Sequence, residues 1–192
     1  EGKLAAVICV EDPLREEAAD AVRELKEAGI TKVVMMTGDS ERTAAAIAKR
    51  VGVDEYYSEV LPEDKASFVE KEKELGHKVI MIGDGINDSL ALSSANVGIA
   101  ISDGAAIARE IADVTISADN LHEIVTLKRL STALMKRIHN NYRTIIGING
   151  GLIALGVTGI IMPTTSALLH NMSTLTISLR SMRNLLPKEE EA

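Results

Sequence analysis

Lys78-Val79-Ile80-Met81-Ile82 runs straight into Gly83-Asp84-Gly85-Ile86-Asn87-Asp88, so a predicted buried strand delivers two carboxylates onto a tight glycine turn. In a parallel α/β sheet, ligands bind where such turns leave the carboxyl ends of the strands. Glycine at 83 and 85 lets the backbone turn sharply and approach a ligand closely. Asp84 and Asp88 offer the hard oxygen donors that Mg²⁺ prefers. The string therefore points to a Mg²⁺ site facing a phosphoryl group. A lone Gly-Asp-Gly would read as an ordinary polar turn, and it is the six-residue string with two further motifs that carries the functional reading.

Outward from this turn, short apolar runs alternate with helical patterns. Extended segments are predicted at Leu4–Val10, Lys32–Met36, Tyr56–Val60, Lys78–Ile82, Val97–Ile101 and Val114–Ile116. Helices are predicted between them, at about 14–28, 41–51, 63–75, 88–94 and 105–111. Gly29, Gly52 and Gly76 stand just past three of these helices, where glycine usually ends one. Strict alternation of this kind predicts a doubly wound α/β domain, a parallel sheet with helices on both faces.

The pattern changes at residue 120. Residues 120–142 contain no Pro or Gly and place apolar side chains at 121, 124, 125, 127, 130, 134, 135 and 138, the spacing of a long amphipathic helix. Thr144 to Met162 then runs nineteen residues without a charge, close to the about 20 residues that span a hydrocarbon layer of about 30 Å. Its glycines suit close packing of helices in lipid. Pro163-Thr164-Thr165 marks a turn, and a weaker return segment follows from Ser166 to about Leu186. Lys136, Arg137 and Arg143 before this region and Arg180, Arg183 and Lys188 after it point both ends to the cytoplasm. The expected organisation is a partial α/β domain over 1–119, a linking helix over 120–143, a transmembrane helix pair over 144–187 and a charged tail over 188–192. Residues 1–143 and the C-terminus would be cytoplasmic and the lipid bilayer a partner. The competing reading of 144–187 is a buried core hairpin of a soluble protein.

The chain has 192 residues and a formal net charge of -7, with the acid in the front part and in Glu189-Glu190-Glu191, which argues against a nucleic-acid partner. Its one cysteine, Cys9, allows no internal disulfide and reads as a small core residue. Aromatic residues are 2% of the chain, so the core must be built from Ala, Val, Ile, Leu and Met. The chain opens on Glu1 without a signal-type N-terminus, as expected for a processed piece or a fragment.

Two more motifs accompany the aspartate turn: Thr37-Gly38-Asp39 after the strand ending at Met36, and Lys65 near the start of the helix after Pro62. Together the three loops supply a hydroxyl and backbone donors for phosphate oxygens, a fixed positive charge and a metal site. These are the parts that stabilise a transferring phosphoryl group by position and charge. Taken alone, Lys65 would be a solvated lysine on a charged helix.

Thr37-Gly38-Asp39-Ser40 with Thr43-Ala44, Pro62-x-x-Lys65 and Gly83-Asp84-Gly85-Ile86-Asn87-Asp88 together resemble the later motifs of the P-type ATPases, whose phosphorylation domain is haloacid dehalogenase-like. Val10-Glu11-Asp12-Pro13-Leu14-Arg15 resembles the segment where that family's chain re-enters the domain. The glycine-rich run and the closing Ser178-Leu179-Arg180-Ser181-Met182-Arg183 resemble the last two membrane helices of the heavy-metal branch. The resemblance implies that Thr37 contacts the phosphoryl group, that Gly38 and Asp39 shape that loop and that Lys65 neutralises charge. It implies Mg²⁺ held by Asp84, with Asp88 and Asn87 supporting the metal and the phosphoryl site, and ATP bound mainly by parts of the protein outside this chain. Ser89 stands where the commoner pattern has Pro. The phosphate-accepting Asp-Lys-Thr-Gly string is absent, so this chain by itself is not expected to be phosphorylated and would work with the N-terminal remainder of a transporter.

On the return segment, His170 offers an imidazole within a turn of Ser173 and Thr174, donors suited to Zn²⁺, Co²⁺ or Mn²⁺, and the resemblance places selectivity residues there. If the segment is peripheral, His170 is merely interfacial. Asn149 either lines the same path or hydrogen-bonds between helices. The expected function is the C-terminal part of an ATP-driven transition-metal cation transporter. The rivals are a haloacid dehalogenase-type phosphatase and a catalytically inert membrane-associated fragment.

Overall fold

The computed structural model describes residues 14–84, 87–101, 110–116 and 120–185. The predicted strand Leu4–Val10 with Cys9, Gly85 and Ile86 of the aspartate turn, most of the predicted helix 105–111 and the charged tail lie outside them. In chain order the elements are α1 (Ala18–Glu27), β1 (Val34–Met36), α2 (Glu41–Val51), β2 (Glu55–Tyr57), α3 (Pro62–Glu74), β3 (Ile80–Gly83), α4 (Ser89–Ser94), β4 (Val97–Ile101), β5 (Val114–Ile116), α5 (His122–Val157) and α6 (Pro163–Ser181). The chain divides into two compact units, residues 1–125 and 126–192.

In the first unit every strand pairing among the described residues is parallel: β1 with β2, β3 with β4, and β4 with β5. The expected α/β class with parallel strand pairing holds. Among the described residues the pairings run β1-β2 and β3-β4-β5, with the predicted strand Leu4–Val10 outside them. Gly29, Gly52 and Gly76 all adopt positive φ, at 97°, 80° and 87°, and end α1, α2 and α3 as predicted.

The core that carries the site gathers around β3. Val69 of α3, Met81 of β3 and Ala91 and Leu92 of α4 are buried together, with Met36 at the end of β1 packed against them. This cluster draws the ends of β1 and β3 and the flank of α3 toward one another. Helix α4 rests directly on β4, because a Cβ on Gly98 would stand 2.7 Å from the Leu92 carbonyl oxygen. Only glycine allows that approach without moving backbone.

The second unit departs from expectation. Helix α5 passes through Arg143 without interruption and runs 36 residues from His122 to Val157. Its i to i−4 hydrogen bonds are indifferent to the change from charged to apolar side chains. The break comes instead around Gly159, at φ 72°, before Pro163 opens α6. The uncharged run Thr144–Met162 is therefore not one span. Only its first fourteen residues are on α5, about 21 Å of helix against a hydrocarbon layer of about 30 Å. No helix among the described residues is long and apolar enough to cross a membrane, so the expected transmembrane hairpin is not found.

What is present is an antiparallel helix pair, pinned at two levels. Near one end the Arg137 guanidinium donates to the carbonyls of Ser181, at 2.9 Å, and of Arg183, and Asn141 Nδ2 donates to Ser181 Oγ at 2.7 Å. Further along, His170 meets Asn149. Arg137 thus satisfies carbonyls that the C-terminus of α6 leaves without helical partners, at the negative end of its dipole.

Gly98→Ala should lower the unfolding free energy by about 1–3 kcal/mol, since the new methyl meets backbone that cannot rotate away. Urea denaturation measures this, and an unchanged midpoint would contradict the close seating of α4 on β4.

Candidate phosphoryl and metal sites

Helix α3 begins with Pro62 in its first turn, and the Asp64 carboxylate reaches back to accept from the Leu61 N–H at 3.3 Å. Proline needs no amide partner there, and the carboxylate satisfies one that would otherwise be orphaned. This start brings Lys65 inward. Its ammonium donates to Asp88 Oδ1 at 2.7 Å, and the two side chains are only 16% and 12% exposed.

Asp88 directly precedes α4 and is buried, while Asp84 and Asn87 are exposed at the end of β3. Asn87 donates to both oxygens of Asp84, through its backbone N–H at 3.1 Å and Nδ2 at 3.2 Å. The Asp88 side chain is pressed against Gly83. A Cβ at position 83 would lie 2.7 Å from Asp88 Cβ and 2.9 Å from its Cγ, and closer still to Oδ2. The two carboxylates therefore stand in different surroundings, one holding a lysine in a protected cleft and the other at the surface. Among the described residues no group of three or more His, Cys, Asp or Glu gathers to hold a metal. The donor chemistry still suits Mg²⁺ at Asp84, whose hard oxygens face outward at the carboxyl end of a strand.

Thr37 leaves β1 with its N–H donating to the Tyr57 carbonyl, and its own carbonyl accepts from Val60 N–H, both at 3.0 Å. Its hydroxyl donates to Asp39 Oδ2 at 2.7 Å and accepts the Asp39 N–H at 3.1 Å, closing a small ring around Gly38. Val60 immediately precedes Leu61, the cap of α3. The 37–39 loop is thereby tied through one backbone segment to the helix that carries Lys65, and Lys65 to Asp88. The structure thus pairs Thr37 with Asp39 after β1, Lys65 of α3 with Asp88, and Asn87 with Asp84 after β3.

A clamp around Glu41 has no counterpart in the sequence reading. Its carboxylate accepts hydrogen bonds from the Ser58 hydroxyl, at 2.5 Å, and the Tyr56 hydroxyl, at 2.7 Å, from beside and within β2. Those donors, led by Ser58, hold the Glu41 carboxyl below the ordinary glutamate range, and the same contact raises the Tyr56 phenol. Glu41 opens α2 just after the 37–40 loop, so the clamp fixes the loop's downstream end. Asp54 makes a similar clasp between α1 and β1. The Lys26 ammonium at 2.7 Å and the Val33 N–H at 2.8 Å hold its carboxyl below the usual aspartate range. Neither was legible, because the partners stand 15 to 28 residues apart with no motif joining them.

In the helix pair, the structure brings together two of the four predicted ion-site residues. His170 Nδ1 lies 2.8 Å from Asn149 Oδ1. Ser173 and Thr174 instead donate their hydroxyls to the His170 carbonyl, at 2.8 and 3.0 Å. The helix–helix hydrogen bond foreseen as the alternative for Asn149 is the one observed.

This fold and motif set define a class: the chain belongs to the haloacid dehalogenase-like hydrolase family, which matches residues 1–96. Beyond that domain it is homologous to heavy-metal P-type ATPases. It is 37% identical over 184 residues to a manganese-exporting P-type ATPase of Mycobacterium bovis, 95% of this chain and 26% of the relative. It is 43% identical over 169 residues to copper-transporting ATPase 2 of Rhizobium meliloti, 88% of this chain and 20% of the relative. A crystal structure of a zinc-transporting PIB-type ATPase in its E2.Pi state superposes with a TM-score of 0.82 at 34% identity, covering 90% of this chain and 28% of the other. The chain spans about a quarter of the length of the curated relatives it matches.

Two outcomes test this geometry. Lys65→Met strands the Asp88 carboxylate in its cleft and should cost about 3 kcal/mol of unfolding free energy, most of it recovered when Asp88→Asn is added; additive losses in the urea-measured cycle would show that the pair is not coupled. Glu41 and Asp54 both have depressed pKa values in the folded chain. Their stabilisation is therefore fully present above the ordinary carboxyl range, about pH 4, and is lost as pH falls through the lower folded values. Glu41→Gln with Asp54→Asn should flatten the fall of the urea midpoint on acidification, and a fall parallel to wild type would refute the assignment.

Proposed function

We propose that this chain is the C-terminal part of an ATP-driven transition-metal cation exporter, supplying half of its phosphoryl site and its last helix pair. The observation that carries the reading is the protected Lys65–Asp88 pair against Gly83, next to the outward-facing Asp84, in a chain homologous along nearly its whole length to metal-exporting P-type ATPases.

In this reading Asp84 holds Mg²⁺, which neutralises phosphate oxygens when bound, with Asn87 fixing the carboxylate from behind. Asp88 holds Lys65 so that its ammonium, with two further protons to donate, faces the phosphoryl group without having to be ordered during the reaction. Asp39 sets the rotor of the Thr37 hydroxyl, which would contact the phosphoryl group by exchanging its bond to Asp39 Oδ2 for one to a phosphate oxygen. The accepting aspartate, the nucleotide-binding part and the earlier helices belong to the rest of the transporter.

For the cargo, the class is a transition-metal cation. With Nδ1–H donating to Asn149, His170 keeps its Nε2 lone pair for a metal, the arrangement in which a backing hydrogen bond orients a ligating imidazole. The Ser173 and Thr174 oxygens keep lone pairs after donating to the backbone. The apolar sides of α5 and α6 would be covered by lipid and by the transporter's other helices.

Joining this chain to the preceding three-quarters of the manganese-exporting relative tests the proposal. Metal-stimulated ATP hydrolysis should appear, and Asp84→Asn should reduce it at least about a hundredfold. His170→Ala should abolish metal stimulation while leaving phosphorylation from inorganic phosphate intact. A folded chimaera with no metal-stimulated turnover would overturn the reading.

A further inference from the structure

Among the described residues Glu59 is the only one other than glycine with a positive φ, at 54°. A left-handed backbone is unfavourable for a residue that carries a Cβ. The side chain gives no local return for it, because Glu59 is exposed and its carboxylate has no hydrogen-bond or ion-pair partner among the described residues. The reason for the conformation lies in the backbone on either side.

Strands β1 and β2 pair in the register Val34 with Glu55, Met35 with Tyr56 and Met36 with Tyr57, which carried one step further sets Thr37 opposite Ser58. In an even parallel ladder Thr37 would then bond residues 57 and 59, the two neighbours of that partner. Its N–H does donate to the Tyr57 carbonyl, but its carbonyl accepts from the Val60 N–H, both at 3.0 Å. One residue, Glu59, is therefore inserted opposite Thr37, as in a β-bulge. Turned left-handed, it sends its own N–H to the Asp39 carbonyl at 2.9 Å, while the Ser58 hydroxyl donates to Glu41 at 2.5 Å. Residues 57 to 60 thus hold the 37–41 loop at Thr37, Asp39 and Glu41. The insertion comes just before Leu61, the cap of α3, so it shifts by one residue the register between Thr37 and the helix that carries Lys65. Tyr57 and Phe68 of α3, with ring centroids 5.1 Å apart, brace the same segment against that helix.

We propose that Glu59 is a positioning residue of the phosphoryl site and acts through its backbone: its left-handed turn fixes where the Thr37 hydroxyl stands relative to the Lys65 ammonium. The role rests on the reading of Thr37 and Lys65 as phosphoryl-site residues. Strain kept in place by surrounding bonds is a feature of sites that place a group in advance, and a misplacement of about 1 Å costs about a hundredfold in rate. The competing role is a chemical one for the Glu59 carboxylate itself. Substitution separates the two, since Gly and Asn enter the left-handed region readily and Val does not, while none of the three offers a carboxylate.

Glu59→Gly, Glu59→Asn and Glu59→Val are compared in two settings. In the full 192-residue chain, amide hydrogen exchange at residues 59 and 60, followed by NMR, should speed at least about tenfold in Glu59→Val and stay within about threefold of wild type in Glu59→Gly and Glu59→Asn. In the chimaera with the manganese-exporting relative, Glu59→Val should raise the inorganic phosphate needed for half-maximal phosphorylation at least about tenfold, and Glu59→Gly and Glu59→Asn should stay within about twofold. A merely structural role would lower the urea midpoint and leave the phosphate requirement of the folded protein unchanged. If Glu59→Val does not fold, Glu59→Ala against Glu59→Asn makes the same comparison. Unchanged exchange or an unchanged phosphate requirement in folded Glu59→Val would overturn the proposal. So would Glu59→Gly and Glu59→Asn impaired as much as Glu59→Val, which would assign the role to the carboxylate. A wild-type chimaera that inorganic phosphate does not phosphorylate counts against the transport reading, and amide exchange in the chain then decides by itself whether Glu59 sets the loop.

Discussion

A lysine ammonium and an aspartate, both nearly out of solvent and 2.7 Å apart, constrain the first unit more than any other contact in it. A charge in such a place is costly unless it is paired, so neither residue can be present without the other. Asp88 can reach its position only because residue 83 has no side chain. The requirement spreads from there. Gly83 ends β3, Asp88 precedes α4, and Lys65 sits one turn into α3, so an ion pair between residues 23 apart, with Asp88 seated on Gly83, fixes the relative placement of all three elements.

The pair also explains why the two aspartates of one turn have different roles available to them. Asp88 has one oxygen on Lys65 and the other against the Gly83 backbone. Asp84 is braced by Asn87 and faces out. Equal residue types four positions apart are separated by burial, Asp88 in the cleft and Asp84 at the surface. The Thr37 loop joins this arrangement through backbone bonds to Tyr57 and Val60. The position of its hydroxyl therefore follows from the same core that positions Lys65.

Much of this was legible where the code is local. Helix Glu41–Val51 lies between Ser40 and Gly52 as its end signals indicated, and the strands Val97–Ile101 and Val114–Ile116 were read to the residue from their apolar runs. The glycines after α1, α2 and α3 did what left-handed glycines do. What escaped was non-local or rested on a wrong proxy for a boundary. The Glu41 clamp, the Lys26–Asp54 clasp and the Arg137 cap join residues 15 to 47 positions apart, and no periodicity marks them. The end of α5 was misplaced because the change from charged to uncharged residues was read as a structural boundary. Backbone hydrogen bonding ignores that change and stops only near Gly159 and Pro163.

The helix pair shows how few polar contacts are needed to fix a register between two largely apolar helices. Apolar side chains packed along one another permit sliding by a turn at modest loss, whereas a hydrogen bond at 2.8 Å does not. Two such contacts, Arg137 with the end of α6 and His170 with Asn149, stand twelve residues apart on α5 and define both rotation and axial offset. The first also ends α6, since a guanidinium bonded to several terminal carbonyls removes any gain from another helical turn. The second orients an imidazole whose remaining nitrogen is then directed by the fold and not by its own rotamer freedom. A histidine held this way has one ring orientation set by its neighbour on the other helix, which a histidine free at a helix surface does not have.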